Sequence, residues 1–459
     1  MEIKSRNTEI RWYRGVIRPY GFFARFYYYR LLEEGLMKIN KLKGVLDYYG
    51  KDMELFQIVR DTATSLCESY GYEEVITPII EQTEVFVRSA GASSDVVGKE
   101  MYVFKDRGDR DIALKPESTA SVMRMYVENK LYANPGIKKF YYCSPNFRYE
   151  RPQAGRYRQF YQFGVEVMGE ESPYLDAEVI ELAYQMLVKL GIKKAKVYLN
   201  TLGSDATRAR YREALKNYFE PNLGELCDDC KRRFETNPLR MLDCKVDGEK
   251  EIMKKAPKIA NYLSEEDDAF FSELCKALDA LKIPYAKNDR MVRGLDYYTN
   301  DIFEIIYEDE SSPLNGLALI AGGRYNNLGQ EFDGPQIPSI GFGMGIERMG
   351  GALAELGVIE AKKRVPVVAI LSLSNQAKLK ALELANNLRG EGYLVVMDYK
   401  NNNLKPQFKL TERECANWIL ILGDDELNNG TINVKNVASG LQEVIAQAEL
   451  LAYLKKDVK

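Results

Sequence analysis

Chemistry-bearing side chains crowd into one stretch, Asn146-Phe-Arg-Tyr-Glu-Arg-Pro-Gln-Ala-Gly-Arg-Tyr-Arg-Gln-Phe-Tyr-Gln-Phe-Gly-Val-Glu166. It reads as two strands joined by a loop holding Pro152 and Gly155. Side chains alternate faces along a strand. Asn146, Arg148 and Glu150 therefore share one face, and so do Arg158, Phe160, Gln162, Gly164 and Glu166. Tyr161, Phe163, Val165 and Val167 cover the other. Guanidinium groups suit a bidentate grip on phosphate, and a carboxylate with an amide suits a small polar ligand. The competing reading is an exposed amphipathic hairpin with paired surface charges. The crowding of Arg148, Arg151, Arg156 and Arg158 argues against it, as does Gly164 in mid-strand, which implies close approach by a ligand or another backbone.

Four further segments carry polar groups beside glycines or prolines. Arg293-Gly-Leu-Asp-Tyr-Tyr-Thr299 offers a cation and two phenols, in a site or in a structural corner. Ala321-Gly-Gly-Arg-Tyr325 and Gly341-Phe-Gly-Met-Gly-Ile-Glu-Arg348 would let a backbone approach a nucleotide, with Arg348 in the first turns of a helix that the glycines open. Leu114-Lys-Pro-Glu-Ser-Thr-Ala120 puts Glu117 and Thr119 at a strand-to-helix junction, where they could cap the helix or hold an ammonium group. No Rossmann fingerprint precedes these glycines. Nor is there a P-loop, since Glu100 follows Gly98-Lys99 where Ser or Thr is needed.

The chain has 459 residues and no histidine. Ordinary usage would supply about ten, so the absence excludes whole classes of machinery: Ser-His-Asp and Cys-His catalysis, His-ligated zinc and H-E-x-x-H proteases. Any general base must be a carboxylate, an amine, a phenol or the substrate. The net charge of -3 excludes a generic polyanion binder but not a local basic surface. The seven cysteines read as reduced thiols in a cytoplasmic protein. No apolar run approaches the ~20 residues that span a bilayer. Cys227-Asp-Asp-Cys230 and Cys244 invite a metal reading. A structural zinc site wants four ligands and neither His nor a fourth Cys stands nearby, so the expectation is free thiols and no metal.

Helical periodicity over Met53 to Ser69 buries Leu55, Ile58, Val59, Ala63 and Leu66 and stops at Gly71. Strands are expected over Glu74–Ile80, Phe140–Cys143, Gln159–Gly169, Ala195–Asn200, Lys287–Ile306 and Gly316–Ala321, with a helix over Asp176–Leu190. Residues 204–280 read as a charged helical insertion. Beyond 360, strands and helices alternate, with a break at Pro406, as in a compact α/β domain. The expected organisation is a basic-aromatic extension (1–36), a catalytic domain in two parts (37–203 and 281–360) around the insertion, and a C-terminal domain (361–459). The extension could be an arm for single-stranded nucleic acid, a solvated tail, or translated leader ahead of a native start at Met37.

Together these segments resemble a class II aminoacyl-tRNA synthetase of the histidine-specific family. Phe147-Arg-Tyr-Glu150 with Arg156-Tyr-Arg-Gln-Phe160 resembles motif 2, Gly341–Arg348 motif 3, and the helix and strand ending at Pro78 motif 1. Arg293–Tyr298 and Ala321–Tyr325 resemble the two histidine-specific motifs. The resemblance implies an α+β catalytic domain with an antiparallel six-stranded sheet, a C-terminal α/β anticodon-binding domain and a homodimer. It implies ATP with Mg2+, L-histidine and tRNA(His) as substrates. By it, Arg148 holds the α-phosphate, Glu150 the adenine amino group and Arg348 the γ-phosphate. Arg293 brings a second cation to the α-phosphate. Glu117, Ser118, Thr119 and Gln162 meet the α-amino end of histidine. Glu166 and Tyr298 meet the imidazole, with Tyr297 and Tyr325 lining its pocket, and Gln153 and Arg156 meet the tRNA acceptor end.

Some positions depart from the family pattern. Ser118 replaces a commoner Gly, which puts the backbone around Glu117 in question. Asn300 and Asn326-Asn327 also differ, and Tyr149 and Tyr161 stand where His is frequent. A histidine-sensing regulatory subunit of ATP phosphoribosyltransferase is the runner-up, and a non-catalytic sensor of uncharged tRNA a third. The retained Arg293, Arg348, motif 2 loop and C-terminal domain favour the ligase.

Overall fold

The computed structural model describes residues 39–91, 94, 96–151, 155–358 and 365–456. The expected extension, Met37 and Gln153 lie outside the described residues. The chain divides into two compact units, Met1–Val358 and Ile359–Lys459.

The first unit is built on strands β1 (Glu73–Glu74), β2 (Ile80–Gln82), β3 (Tyr102–Lys105), β4 (Asp111–Leu114), β5 (Lys138–Phe147), β6 (Gln159–Met168), β7 (Ala195–Thr201), β8 (Tyr285–Lys287), β9 (Thr299–Tyr307), β10 (Ala318–Arg324) and β11 (Ser339–Gly345). Among the described residues the large sheet has eight strands, ordered β1-β5-β6-β11-β10-β9-β7-β8, not the expected six. The six inner strands are all antiparallel to their neighbours, and β1 and β8 add a short parallel strand at each edge. These edges are two and three residues long and mostly exposed, so they leave no hydrophobic pattern to read. A second sheet, β2-β4-β3, lies beside it.

Helices back the sheet. The first, α1 (Gly50–Ser69), buries Leu55, Phe56, Val59, Ala63 and Cys67 on one face. Phe56 meets Tyr161 of β6 edge to face at 4.9 Å, so the aromatic side of β6 packs under α1. Then come α2 (Thr83–Ala90), α3 (Thr119–Glu128) and α4 (Pro173–Lys189), the last capped by Ser172 with Pro173 in its first turn. The insertion is helical as expected: α5 (Asp205–Phe219), α6 (Asp228–Thr236), the short α7 (Glu251–Lys254) and α8 (Glu265–Ala280). Asp267 in the capping box of α8 also accepts from Ser204 N–H at 2.9 Å and Thr207 Oγ1 at 2.5 Å, which ties the starts of α5 and α8 together.

Several expected elements differ. The strand over Glu74–Ile80 is split between β1 and β2. Pro78 has no N–H for a ladder, and the segment's bonds go two ways, Val75 N–H to Tyr141 O and Ile79 O from Lys115 N–H, each 2.9 Å. Lys287–Ile306 is likewise two strands with a loop over 288–298 between them. Gly341–Gly345 is strand, and the helix, α9 (Ile346–Leu356), begins after it.

The second unit is a five-stranded sheet, β13-β12-β14-β15-β16, from β12 (Val367–Ser372), β13 (Leu394–Met397), β14 (Trp418–Leu422), β15 (Thr431–Asn436) and β16 (Gln442–Ala446). Helices α10 (Asn375–Gly390), α11 (Leu404–Arg413), α12 (Asp424–Asn429) and α13 (Leu450–Lys456) complete it. Pro406 sits inside the first turn of α11 and does not break it, because an N–H there needs no intrahelical partner. Among the described residues no helix is long and apolar enough to cross a membrane.

Candidate functional site

The register of the sheet builds the site. Opposite residues pair Asn146 with Phe160, Ser144 with Gln162, Tyr142 with Gly164 and Phe140 with Glu166 across β5 and β6. On the other side of β6, Gly345, Gly343 and Gly341 of β11 pair with Gln162, Gly164 and Glu166. One face of the sheet therefore carries long polar side chains over a row of glycines. A cavity of about 350 Å³ opens on it.

The glycines serve the protein's own side chains. A Cβ at Gly343 would overlap the Gln162 amide, and one at Gly341 would overlap the Glu166 carboxylate. Gly164 makes room for the Tyr142 ring and the Phe342 carbonyl, so the close approach expected at mid-strand is by another chain segment.

Glu166 is the floor. It is buried, accepting from Thr119 Oγ1 at 2.7 Å, Tyr142 OH at 3.1 Å and the Tyr325 hydroxyl. Burial pushes its carboxyl up to about 8, against the pull of the Tyr325 and Thr119 bonds. Glu117 caps a helix and also lines the cavity. Its two oxygens accept the Thr119 and Ala120 N–H groups at 2.7 and 2.9 Å, capping α3, while it lines the cavity. Burial raises its carboxyl too, more than those two N–H groups lower it. Two raised carboxyls side by side in a polar recess suit an ammonium or imidazolium group.

Tyr297, Tyr298 and Tyr325 enclose this end, with ring centroids 4.8 Å apart for the first pair and 5.7 Å for Tyr297 and Tyr325. Tyr325, not Tyr298, bonds Glu166. Gln162 accepts from Asn146 Nδ2 at 2.8 Å, and Ser118 Oγ donates to Asn146 Oδ1 at 3.1 Å. Ser118 is buried behind the cavity and does not line it, so it is a support for Asn146 and Gln162 rather than a ligand contact. Its φ of -107° is ordinary, which removes the doubt about the backbone beside Glu117.

The other end is cationic. Arg148, Arg156 and Arg348 line it with Glu150. Arg148 Nε donates to Pro116 O at 2.9 Å, Arg156 pairs with Glu150 at 3.5 Å, and Arg348 donates to Ala318 O at 3.0 Å. Burial lowers the Arg348 guanidinium, and Arg156 and Arg148 push it the same way. Such convergence is stable when an anion shares it. Arg293 bridges the ends. It pairs with Glu304, lies 5.4 Å from the Tyr298 ring, and keeps a buried Nε without a protein acceptor. Burial disfavours its charge, but Tyr298 and Glu304 more than restore it.

Tyr142, Asn146 as a bridge, and Glu304 were not singled out by role from the sequence. The signal for Tyr142 was its place opposite Gly164. Arg324, the arginine of the second glycine motif, is buried against Asp176 in a bidentate pair, with Nε at 2.6 Å and Nη2 at 2.5 Å, and does not face the site.

Comparison with known proteins places these features in a family. Residues 44–349 match the family model for histidyl-tRNA synthetase, and residues 367–457 match that for an anticodon binding domain. A histidine–tRNA ligase of Bacillus cytotoxicus is 44% identical over 419 residues, covering 91% of this chain and 99% of that protein. The crystal structure of apo histidyl-tRNA synthetase from S. aureus superposes with a TM-score of 0.79 at 37% identity, over 91% of this chain and all of that one. An ATP phosphoribosyltransferase regulatory subunit/histidyl-tRNA synthetase from Bacillus halodurans shares the fold at 22% identity and a TM-score of 0.59, over 82% of this chain and 97% of that one.

Proposed function

The chain belongs to the histidyl-tRNA synthetase family, and on that premise we propose how its cavity makes and uses histidyl-adenylate. The activity is that of a histidine–tRNA ligase. The observation that carries the site assignment is one cavity with a carboxylate–phenol end and an arginine end.

Histidine enters with its imidazole against Glu166 and the tyrosines, and its α-amino group against Glu117, Thr119 and Gln162. Arg148 and Arg348 receive the triphosphate of ATP, which arrives as its Mg2+ complex, and Glu150 meets the adenine amino group. A histidine carboxylate oxygen attacks the α-phosphorus. The bond to the bridging oxygen breaks, and pyrophosphate leaves with that electron pair. Charge accumulates on the α-phosphate oxygens in the transition state, and Arg148 and Arg293 are placed to stabilise it. A terminal ribose hydroxyl of tRNA(His) then attacks the acyl carbon, the bond from that carbon to the phosphate oxygen breaks, and AMP leaves with the electron pair while the hydroxyl proton passes to a phosphate oxygen. No step requires a protein nucleophile, so catalysis rests on positioning and charge.

The C-terminal unit binds the anticodon arm, and Arg156 with Gln153 meets the acceptor end. The protein acts in the cytoplasm as a homodimer. Exposed Ile76 on the segment resembling motif 1, exposed Ile79 and Ile80 just after it, and exposed Val103 and Phe104 of the same small sheet as Ile80 support a second copy covering that face. Charging of tRNA(His) with labelled histidine tests the reading: histidyl-tRNA is expected, and its absence with histidine and ATP both bound would favour the regulatory-subunit reading. That alternative gains nothing from the phosphate-facing arginines or from the anticodon-binding match.

A further inference from the structure

Outside the cavity, the insertion gathers three thiols and a carboxylate. The Sγ atoms of Cys227, Cys230 and Cys244 and a carboxylate oxygen of Asp247 all lie within 4.8 Å of one another. Asp247 is the fourth ligand that counting histidines and cysteines cannot find. We propose that these four side chains form a structural zinc site that pins the insertion together.

The geometry fits a tetrahedral ion. Zinc–thiolate bonds of ~2.3 Å set ligand sulfurs roughly 3.8 Å apart, and a sulfur and a carboxylate oxygen about 3.5 Å apart. Cys227 and Cys244 have their sulfurs at 3.6 Å, and Cys244 Sγ lies 4.0 Å from Asp247 Oδ2. Side-chain rotation within these limits closes the site.

The backbone presents the ligands from two arms of the same spacing. Cys227 and Cys230 flank the start of α6, with two residues between them. Cys244 and Asp247 also have two residues between them, in a tight turn closed by Gly248 N–H to Cys244 O at 2.7 Å. A Cβ on Gly248 would stand 2.5 Å from that carbonyl, so the turn requires glycine. Asp247 N–H points at Cys244 Sγ at 3.4 Å, and Cys227 N–H donates to Asp247 Oδ2 at 2.8 Å. These are the outer contacts that hold ligands in place around an ion.

Charge and burial point the same way. Asp247 and Cys230 are wholly buried and Cys244 nearly so. Lys250 Nζ, 2.8 Å from Asp247 Oδ1, is one positive charge beside a carboxylate and three ionisable thiols. A dication balances the thiolates that it displaces protons from. Packing alone would not call for an aspartate among cysteines. The site also has a structural consequence. Asn237, at the end of α6, donates to Asp296 at 2.8 Å, so fixing α6 braces the loop that carries Arg293, Tyr297 and Tyr298.

The test is metal content of the full chain, purified reduced, exposed to zinc and desalted. About one zinc per chain is expected, lost from Cys244→Ser and retained by Cys67→Ser. Loss even of an outer contact to a metal ligand costs about 10–100-fold in affinity, so Asp247→Asn, which removes the charge of a ligand itself, should weaken binding at least about tenfold. Cobalt in place of zinc should give thiolate charge-transfer and strong tetrahedral d–d bands. Should Cys244→Ser not fold, alkylation of the native chain decides. Zinc should protect Cys227, Cys230 and Cys244 together, and a chelator should expose them. A zinc-free protein whose three thiols react alike with and without zinc would overturn the proposal, as would a Cys227–Cys244 disulfide. Unchanged affinity in Asp247→Asn would overturn the four-ligand assignment.

Discussion

Glu166 shows how one buried group couples stability to binding. Its carboxyl titrates near 4.5 when unfolded and at about 8 when folded, so between those values the native state binds more protons. Its burial therefore favours folding most fully below 4.5, and that contribution is lost as pH rises through 8. Glu166→Gln removes the ionisation, and at pH 8 the variant should melt higher than the parent while losing histidine-dependent activity. A lower melting temperature at pH 8 would contradict the burial argument. Histidine placed against Glu166 shares one proton with it. Binding then needs no net proton exchange between about 6.5, the ordinary imidazole value, and 8, so the KM for histidine should be lowest in that window. Arg293 and Arg324 make a contrasting pair. Arg293→Ala should lower the rate of adenylation by about 100-fold or more and change histidine affinity little. A loss confined to histidine affinity would contradict its place at the α-phosphate. Arg324→Ala leaves Asp176 buried and unpaired, so it should cost about 3–5 kcal/mol of stability in a denaturant titration.

Strands β6 and β11 form a matched pair beside the proposed histidine site, long polar side chains on one and glycines on the other. Gly343→Ala should leave the sheet folded, since the strand register is set by its neighbours, but it displaces Gln162 and should raise the KM for histidine at least about tenfold. An unchanged KM would mean Gln162 is not a histidine contact. The same pair shows what the sequence could tell. Period-two alternation placed Asn146, Gln162 and Glu166 on one face correctly, because that rule is local. It could not place Tyr142 or Glu304, whose roles depend on which strands become neighbours. It foresaw the helix that opens after Gly345, with Arg348 in its first turn, but not that Gly341–Gly345 is itself strand, because glycines in a strand pay off only against a partner's side chains. It ran β1 together with β2, and β8 together with β9, because the few residues of β1 and β8 are fixed by the long strands beside them. Asp247 went unseen for a related reason: an aspartate becomes a metal ligand only when a turn folds it back onto cysteines.

At the scale of the molecule, the two units divide the labour. Residues 39–358 expressed alone should still exchange pyrophosphate into ATP with histidine, while charging of tRNA(His) falls by about 100-fold or more for want of the anticodon-binding unit. Equal charging by the truncated chain would contradict that division. The absent histidines also gain meaning at this scale. The only imidazole that the reaction needs arrives as substrate, and none of the 459 residues calls for histidyl-tRNA in translation. Tyr161 packs edge to face against Phe56 and Tyr48 and does not line the cavity. The central claim is that this cavity joins histidine to the α-phosphate of ATP. Histidine-dependent exchange of labelled pyrophosphate into ATP by the intact chain, run against a panel of the other amino acids, measures that step alone. Exchange with histidine and with no other amino acid is the predicted result; binding of ATP and histidine without exchange would contradict the account.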